Sequence, residues 1–251
     1  RDCLLSRGLG DVYKRQILFP IADFYLKKER WNEAIEVYEE METIGALQER
    51  GAEYYQKLGY ALQKSKKYAE AIGAYLKADT LKPDNIWNNR HLAICYRLNR
   101  NYQAALSYYK KVEEATPEDT NVIFHIGSCL AELGQYEEAA NYFFKLDFIE
   151  SNCIKAWRGI GWCSFISRKY EQAMKYYEKI IEQKPLAIDY MNAGHVAWTM
   201  GDIQKAAALY GKSITANGNR ERFLEMFRKD EEALLKQGIQ EEDIPLMLDL
   251  L

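Results

Sequence analysis

Residues 154–185 read IKAWRGIGWCSFISRKYEQAMKYYEKIIEQKP, and their internal spacing decides the fold. Tyr170, Ala173 and Tyr177 stand at offsets 0, 3 and 7, so they share one face of a helix. Gly161 precedes the alanine by twelve residues, and Pro185 follows it by twelve. Proline lacks an N–H and clashes with the preceding turn, so it marks where a second helix stops. The window predicts two antiparallel helices with a tight turn between them. Ala173 and Gly161 are the small residues expected to face each other where those helices approach.

The same phrase recurs along the chain as Trp31/Ala34/Tyr38, Tyr68/Ala71/Tyr75, Tyr102/Ala105/Tyr109 and Tyr136/Ala139/Phe143, with a weaker copy at Ile203/Ala206/Tyr210. The alanines are spaced 37, 34, 34, 34 and 33 residues apart. Twelve residues before them lie Ala22, Gly59, Ala93, Gly127, Gly161 and Gly194. Twelve after them lie Pro83, Pro117 and Pro185 in three copies, and Ala46, Ser151 and Gly218 in the others. A single hairpin of about 34 residues cannot bury both its apolar faces, whereas stacked copies can.

These residues resemble the tetratricopeptide repeat family, most clearly in Trp157-x-x-Ile160-Gly161…Tyr170-x-x-Ala173…Tyr177…Pro185 and in Leu58-Gly59…Tyr68-x-x-Ala71…Tyr75…Pro83. The family's usual tyrosine three residues after the small position appears as Tyr25 and Tyr96, but as Leu62, Leu130, Ser164 and Ala197 elsewhere. The resemblance implies an all-α, right-handed superhelical solenoid of antiparallel helix pairs. About six units are expected, near 17–48, 52–85, 86–119, 120–153, 154–186 and 187–218, followed by capping helices over 219–251.

Both ends depart from the period. Arg1–Gln16 matches nothing downstream, and Ser6–Gln16, back-translated, resembles a transposon-based sequencing-library adapter read in frame. The segment reads as a non-native scar, so the native start is expected near Ile17 with its first helix cut short. Pro20 suits such a helix start. The longer spacing around Glu42–Gly51 reads as a loop insertion. After Gly218 come an apolar-striped segment, Glu221–Gln237, and a short apolar one, Ile244–Leu251. Two readings of the latter stand: a cap on the last repeat, or a short helix that docks on a partner.

The chain has 34 Lys and Arg against 37 Asp and Glu; discounting the first sixteen residues leaves 30 against 35. That balance argues against a nucleic-acid binder, and no apolar run is long enough for a membrane span. Among five cysteines there is no CxxC pair, which disfavours a zinc site or a disulfide framework and points to a cytoplasmic protein. Cys95, Cys129 and Cys163 repeat at 34-residue intervals and read as small core residues. His91 and His125 share one register position in neighbouring units, too far apart for a shared metal. No phosphate-binding, zinc-protease, hydrolase or dinucleotide motif occurs, so neither catalysis nor a cofactor is expected.

The resemblance places a concave wall on the first helix of each unit. The wall positions are Tyr60, Lys64, Arg90, His91, Arg97, His125, Lys155, Arg158, Trp162, Asn192, His195 and Trp198. Basic side chains with aromatic surface suit an extended acidic peptide or protein segment. The family's chaperone-tail clamp is represented only by fragments (Arg90, His125, Lys155), and its asparagine ladder only by Asn192. Two functions are compatible with these residues: a non-catalytic protein-interaction scaffold, or the regulatory arm of a larger enzyme or signalling protein.

Overall fold

The computed structural model describes residues 17–43 and 51–251. The adapter-like segment 1–16 and most of the 42–51 insertion lie outside the described residues. Helix α1 covers residues 17–27, followed by α2 (Trp31–Thr43), α3 (Gly51–Lys64), α4 (Tyr68–Leu81), α5 (Ile86–Leu98) and α6 (Tyr102–Ala115). Then come α7 (Thr120–Glu132), α8 (Tyr136–Ile149), α9 (Ile154–Ile166), α10 (Tyr170–Ile181), α11 (Ala187–Thr199) and α12 (Ile203–Asn217). The chain closes with α13 (Arg220–Lys236) and α14 (Asp243–Asp249). No strand occurs among the described residues. The chain divides between Pro117 and Glu118 into two compact units, one carrying α1–α6 and the other α7–α14. Within each, consecutive helices pack on one another, the pattern of a helical-repeat solenoid.

The repeated phrase maps onto this architecture at every copy. Its first residue (Trp31, Tyr68, Tyr102, Tyr136, Tyr170 or Ile203) begins the second helix of each hairpin. The alanine three residues on is fully buried in all six, and the ring four residues further is buried as well. Cys95, Cys129 and Cys163 are buried too, and burial pushes the Cys95 and Cys163 thiols up to about 12, which leaves them protonated and unreactive near neutrality.

The pairing across each hairpin differs from the expected contact of small residue with small residue. The glycine of the first helix faces the second ring of the phrase, sixteen residues later. A Cβ added to Gly59 would stand 2.8 Å from Tyr75, one on Gly127 2.9 Å from Phe143, one on Gly161 2.9 Å from Tyr177, and one on Gly194 2.5 Å from Tyr210. The ring occupies the space where a side chain would otherwise hold the helices apart. Phe143 is covered from a second side as well, since a Cβ on Gly159 of α9 would meet it at 2.5 Å.

The turn inside each hairpin is equally regular. Glu29, Lys66, Arg100, Gly134, Arg168 and Gly201 carry φ between 55° and 84°. At each one the next residue returns its N–H to a carbonyl five residues back, as in Arg30 to Tyr25 (2.9 Å) and Asp202 to Ala197 (2.9 Å). This closes the first helix with a left-handed cap. Glycine meets the requirement at low cost in two copies. In the other four, a side chain is held in a conformation that costs about 1–2 kcal/mol. Neighbouring hairpins in the first unit are tied by one repeated bond. The Tyr54 hydroxyl donates to the Tyr38 carbonyl (2.6 Å), and Asn88, at the same register position, donates its amide to the Tyr75 carbonyl (3.0 Å).

In the second unit α13 covers the last hairpin. It packs on α11 and α12 and buries Phe223, Phe227 and Leu234. Burying each of those side chains contributes ~1.5–3 kcal/mol. Its far end reaches back to the fifth hairpin: Tyr170 donates to Gln237 (2.9 Å), Gln237 to the Ile166 carbonyl (3.3 Å), and Arg168 to the Lys236 carbonyl (2.9 Å). Helix α14 buries Ile244 and Met247 but leaves Leu246 exposed, as is Leu250 just past its end.

Two glycines provide opposite tests of this packing. Gly194→Ala forces a methyl group into the Tyr210 ring and is expected to destabilise the protein by about 1–3 kcal/mol. Gly211, inside α12 with no atom within 4 Å of an added Cβ, has room for alanine. Gly211→Ala is expected to stabilise by about 0.5–1 kcal/mol through helix propensity. Urea unfolding followed by circular dichroism reads both.

Candidate binding surface

First helices of successive hairpins lie side by side: α3 touches α5 in the first unit, and α9 touches both α7 and α11 in the second. Residues at wall positions therefore share a surface within each unit. The twelve predicted wall residues fall into two sets, Tyr60 to Arg97 in the first unit and His125 to Trp198 in the second.

The first unit assembles an aromatic and basic cluster. Tyr60 is half-buried, with its ring 5.9 Å from Trp31, 6.3 Å from Trp87 and 5.6 Å from His91. Trp87 stands 4.0 Å from His91, centroid to centroid, and remains 42% exposed. Behind them, the buried Tyr75 stacks on His91 at 5.7 Å. The exposed Lys64 ammonium lies 5.3 Å above the Tyr60 ring. Gln63 orders the interior of the cluster, its Oε1 accepting from the Tyr75 hydroxyl (3.0 Å) and sitting 2.8 Å from His91 Nδ1. With Gln63 Oε1 as the acceptor, His91 carries its proton on Nδ1 and presents Nε2 as an acceptor. Burial, with Lys64 and Arg90 close by, lowers the His91 pKa from 6.5 to about 4. The imidazole is therefore neutral at physiological pH, and the positive charge of the cluster comes from Lys64 and Arg90. Arg97, further along α5, is half-buried, and its Nε is buried with no hydrogen-bond partner among the described residues.

The second unit differs. Arg158 forms a two-point pair with Asp189, Nε and Nη2 each 2.7 Å from a carboxylate oxygen. Asp189 is 1% exposed and also accepts from the Leu186 N–H (2.7 Å) at the start of α11. Arg158 is thus a strut between α9 and α11 rather than a free cation. Lys155 pairs with Glu150 (3.2 Å) and lies 5.9 Å over Phe124. His125, Trp162 and Asn192 are half-buried. His195 and Trp198, predicted to line the wall, are buried instead: Phe227 of α13 lies 5.4 Å from the imidazole and 6.5 Å from the indole. His195 Nδ1 is 2.8 Å from the Tyr210 hydroxyl, and its Nε2 is 3.5 Å from Asp230 of the same cap. Repeat register carries no information about α13, which covers both residues.

Sequence reasoning missed Trp31, Gln63 and Trp87. Trp87 lies one turn before His91 on α5, a spacing that places both on one face. Trp31 was counted as part of the packing stripe, and in fact the start of α2 also meets Tyr60 on α3. Gln63 has no signal in sequence, because its role depends on two rings from other helices.

Sequence models of the tetratricopeptide repeat match residues 18–50, 52–85, 97–163, 154–185 and 190–220. The chain belongs to the tetratricopeptide repeat family. Its fold is similar to that of a tetratricopeptide repeat protein from Parabacteroides merdae, with 19% identity over 95% of this chain and 98% of that one and a TM-score of 0.64. It is also similar to YrrB, described as a tetratricopeptide protein with an unusual peptide-binding site (21% identity, 73% of this chain, 96% of that one, TM-score 0.61). A third likeness is to MamA from Desulfovibrio magneticus RS-1 (19% identity, 68% and 98%, TM-score 0.61). No curated protein sequence matches the chain. The repeats and these likenesses suggest a protein–protein interaction scaffold, since repeats of this family are generally non-catalytic. No helix among the described residues is long and apolar enough to cross a membrane.

Two measurements test the electrostatics. The folded-state pKa of His91 lies below its unfolded value, so the unfolded chain binds the extra proton. The histidine's contribution to stability is full above about pH 6.5 and is lost as pH falls toward about 4. His91→Gln should flatten unfolding free energy against pH across that window. Arg158→Ala should cost about 1–3 kcal/mol by leaving the Asp189 carboxylate buried without its partner. Lys64→Ala should stay within about 0.5 kcal/mol of wild type.

Proposed function

We propose that the protein is a non-catalytic interaction scaffold and that the α3–α5 surface takes an extended acidic segment of a partner protein. The reading is carried by the exposed Trp87 ring standing beside the half-buried Tyr60, with Lys64 and Arg90 at its edge. Flat apolar surface gives a partner's side chains area at little entropic cost. The two cations supply charge-assisted bonds to carboxylates. The neutral His91 adds an acceptor, suited to a backbone or side-chain N–H of the same segment. A peptide ligand is in keeping with YrrB, whose description names a peptide-binding site.

This surface is narrower than the twelve-residue wall read from the repeat register. His195 and Trp198 are buried and Arg158 is held by Asp189, so the reading rests on Tyr60, Lys64, Trp87, Arg90 and His91. A labelled peptide of about ten residues, rich in Asp and Glu around one aromatic residue, should bind the wild-type chain and release as salt is raised. Lys64→Glu combined with Arg90→Glu should weaken binding about tenfold or more, since loss of one charge-assisted bond is worth about 1.5–3 kcal/mol. Unchanged anisotropy titrations with that variant would sink the assignment.

A further inference from the structure

The second unit carries an apolar cleft of opposite character, between α14 and the α11–α12 turn, with a volume of about 480 Å³. Trp198, Ile203, Leu246 and Leu250 contribute its apolar surface. Ile203 is the copy of the repeat phrase that lacks its ring, and it is exposed here rather than tucked into a neighbour. Leu246 on α14 and Leu250, four residues on and just past its end, are each 63% exposed. Two large aliphatic side chains, held in place by the buried Ile244 and Met247, form a rigid ledge that the fold itself does not cover.

The charged residues that line the cleft are acidic. Asp243 and Asp249 line the cleft, and Glu241 and Glu242 precede α14. No lysine or arginine is among the lining residues. Arg220, the basic group tied to α14, is engaged through Nη2 with the Leu248 carbonyl (2.7 Å). An acidic rim on an apolar floor discriminates among occupants. A second copy seated through the same face would bring these carboxylates against their own counterparts. Anionic lipid and nucleic acid meet the same repulsion.

We propose that this cleft is a docking port for a basic amphipathic segment of another protein, its leucine-like side chains entering against Ile203, Leu246 and Leu250 and its lysines or arginines meeting Asp243 and Asp249. The mode is that of an amphipathic helix laid into an apolar groove. The proposal does not depend on the α3–α5 reading. Together the two would give one chain two ports of opposite charge preference.

The experiment uses the full chain and two labelled synthetic helices of about fourteen residues. Both carry leucine at positions i, i+3, i+4 and i+7, one with lysine and the other with glutamate elsewhere. The basic helix should bind at least about tenfold more tightly than the acidic one. Leu246→Asp with Leu250→Asp should weaken the basic helix at least about tenfold, corresponding to loss of about 1.4 kcal/mol or more. Asp249→Lys, at an exposed rim position, should weaken the basic helix and strengthen the acidic one. Lys64→Glu with Arg90→Glu should leave the basic helix unaffected. Equal affinity for the two helices, or retention of the basic helix by both cleft variants, would overturn the proposal. So would sedimentation showing a wild-type dimer that the leucine variant abolishes, since the occupant would then be a second copy. Circular dichroism melting of each variant confirms that the helices remain folded.

Discussion

An aromatic ring laid on bare backbone is the contact on which the rest depends. In four of the six hairpins a glycine of the first helix meets the second ring of the repeated phrase so closely that no side chain fits between them. In the other two the position is occupied by Ala22 and Ala93, both fully buried. Such a contact sets how far apart the two helices of a hairpin stand. It also turns the first helix so that its opposite face looks outward. Wall residues are therefore placed by the core, and the left-handed turn at each hairpin keeps their register. In the first unit the hydroxyl of Tyr54 and the amide of Asn88 carry that register from one hairpin to the next.

The same scaffold is used differently in the two units. In the first, the wall positions of α3 and α5 hold rings that lean on one another, and Gln63 satisfies the polar atoms between them. Lys64, at the edge of these rings, is exposed. In the second, the corresponding material is consumed internally. Arg158 and Asp189 brace α9 against α11, and α13 covers His195 and Trp198. A charge pair made with a buried carboxylate is costly to disturb, so Arg158 serves the fold and is unavailable to a ligand. This unit also exposes the apolar ledge at α14.

Periodicity made the fold legible because each helix pair is specified locally. The offsets 0, 3 and 7, the small residue twelve before, and the left-handed turn all lie within about 34 residues, and six copies in near-constant phase reinforce one another. Small with small was nevertheless the wrong pairing across the hairpin. A one-dimensional offset of twelve says that two residues are in phase, but the ring one turn further on is long enough to reach the glycine first. The candidate surface was legible only in part. Tyr60, Lys64, Arg90 and His91 could be placed from register, whereas Gln63 and Trp87 matter through contacts that combine α3, α4 and α5.

The sequence by itself determined the all-α repeat architecture and the burial of the alanine, ring and cysteine positions. These follow from hydrophobic spacing along a helix, which is a local property. Only the tertiary structure decided which of the wall residues are exposed and which are buried or paired. Arg158 and Asp189 are 31 residues apart, His195 and Phe227 are 32 apart, and neither spacing is one the repeat imposes. Whether a cation is neutralised depends on a carboxylate of the next unit's first helix, and whether an indole is covered depends on α13, which folds over it after the period has ended.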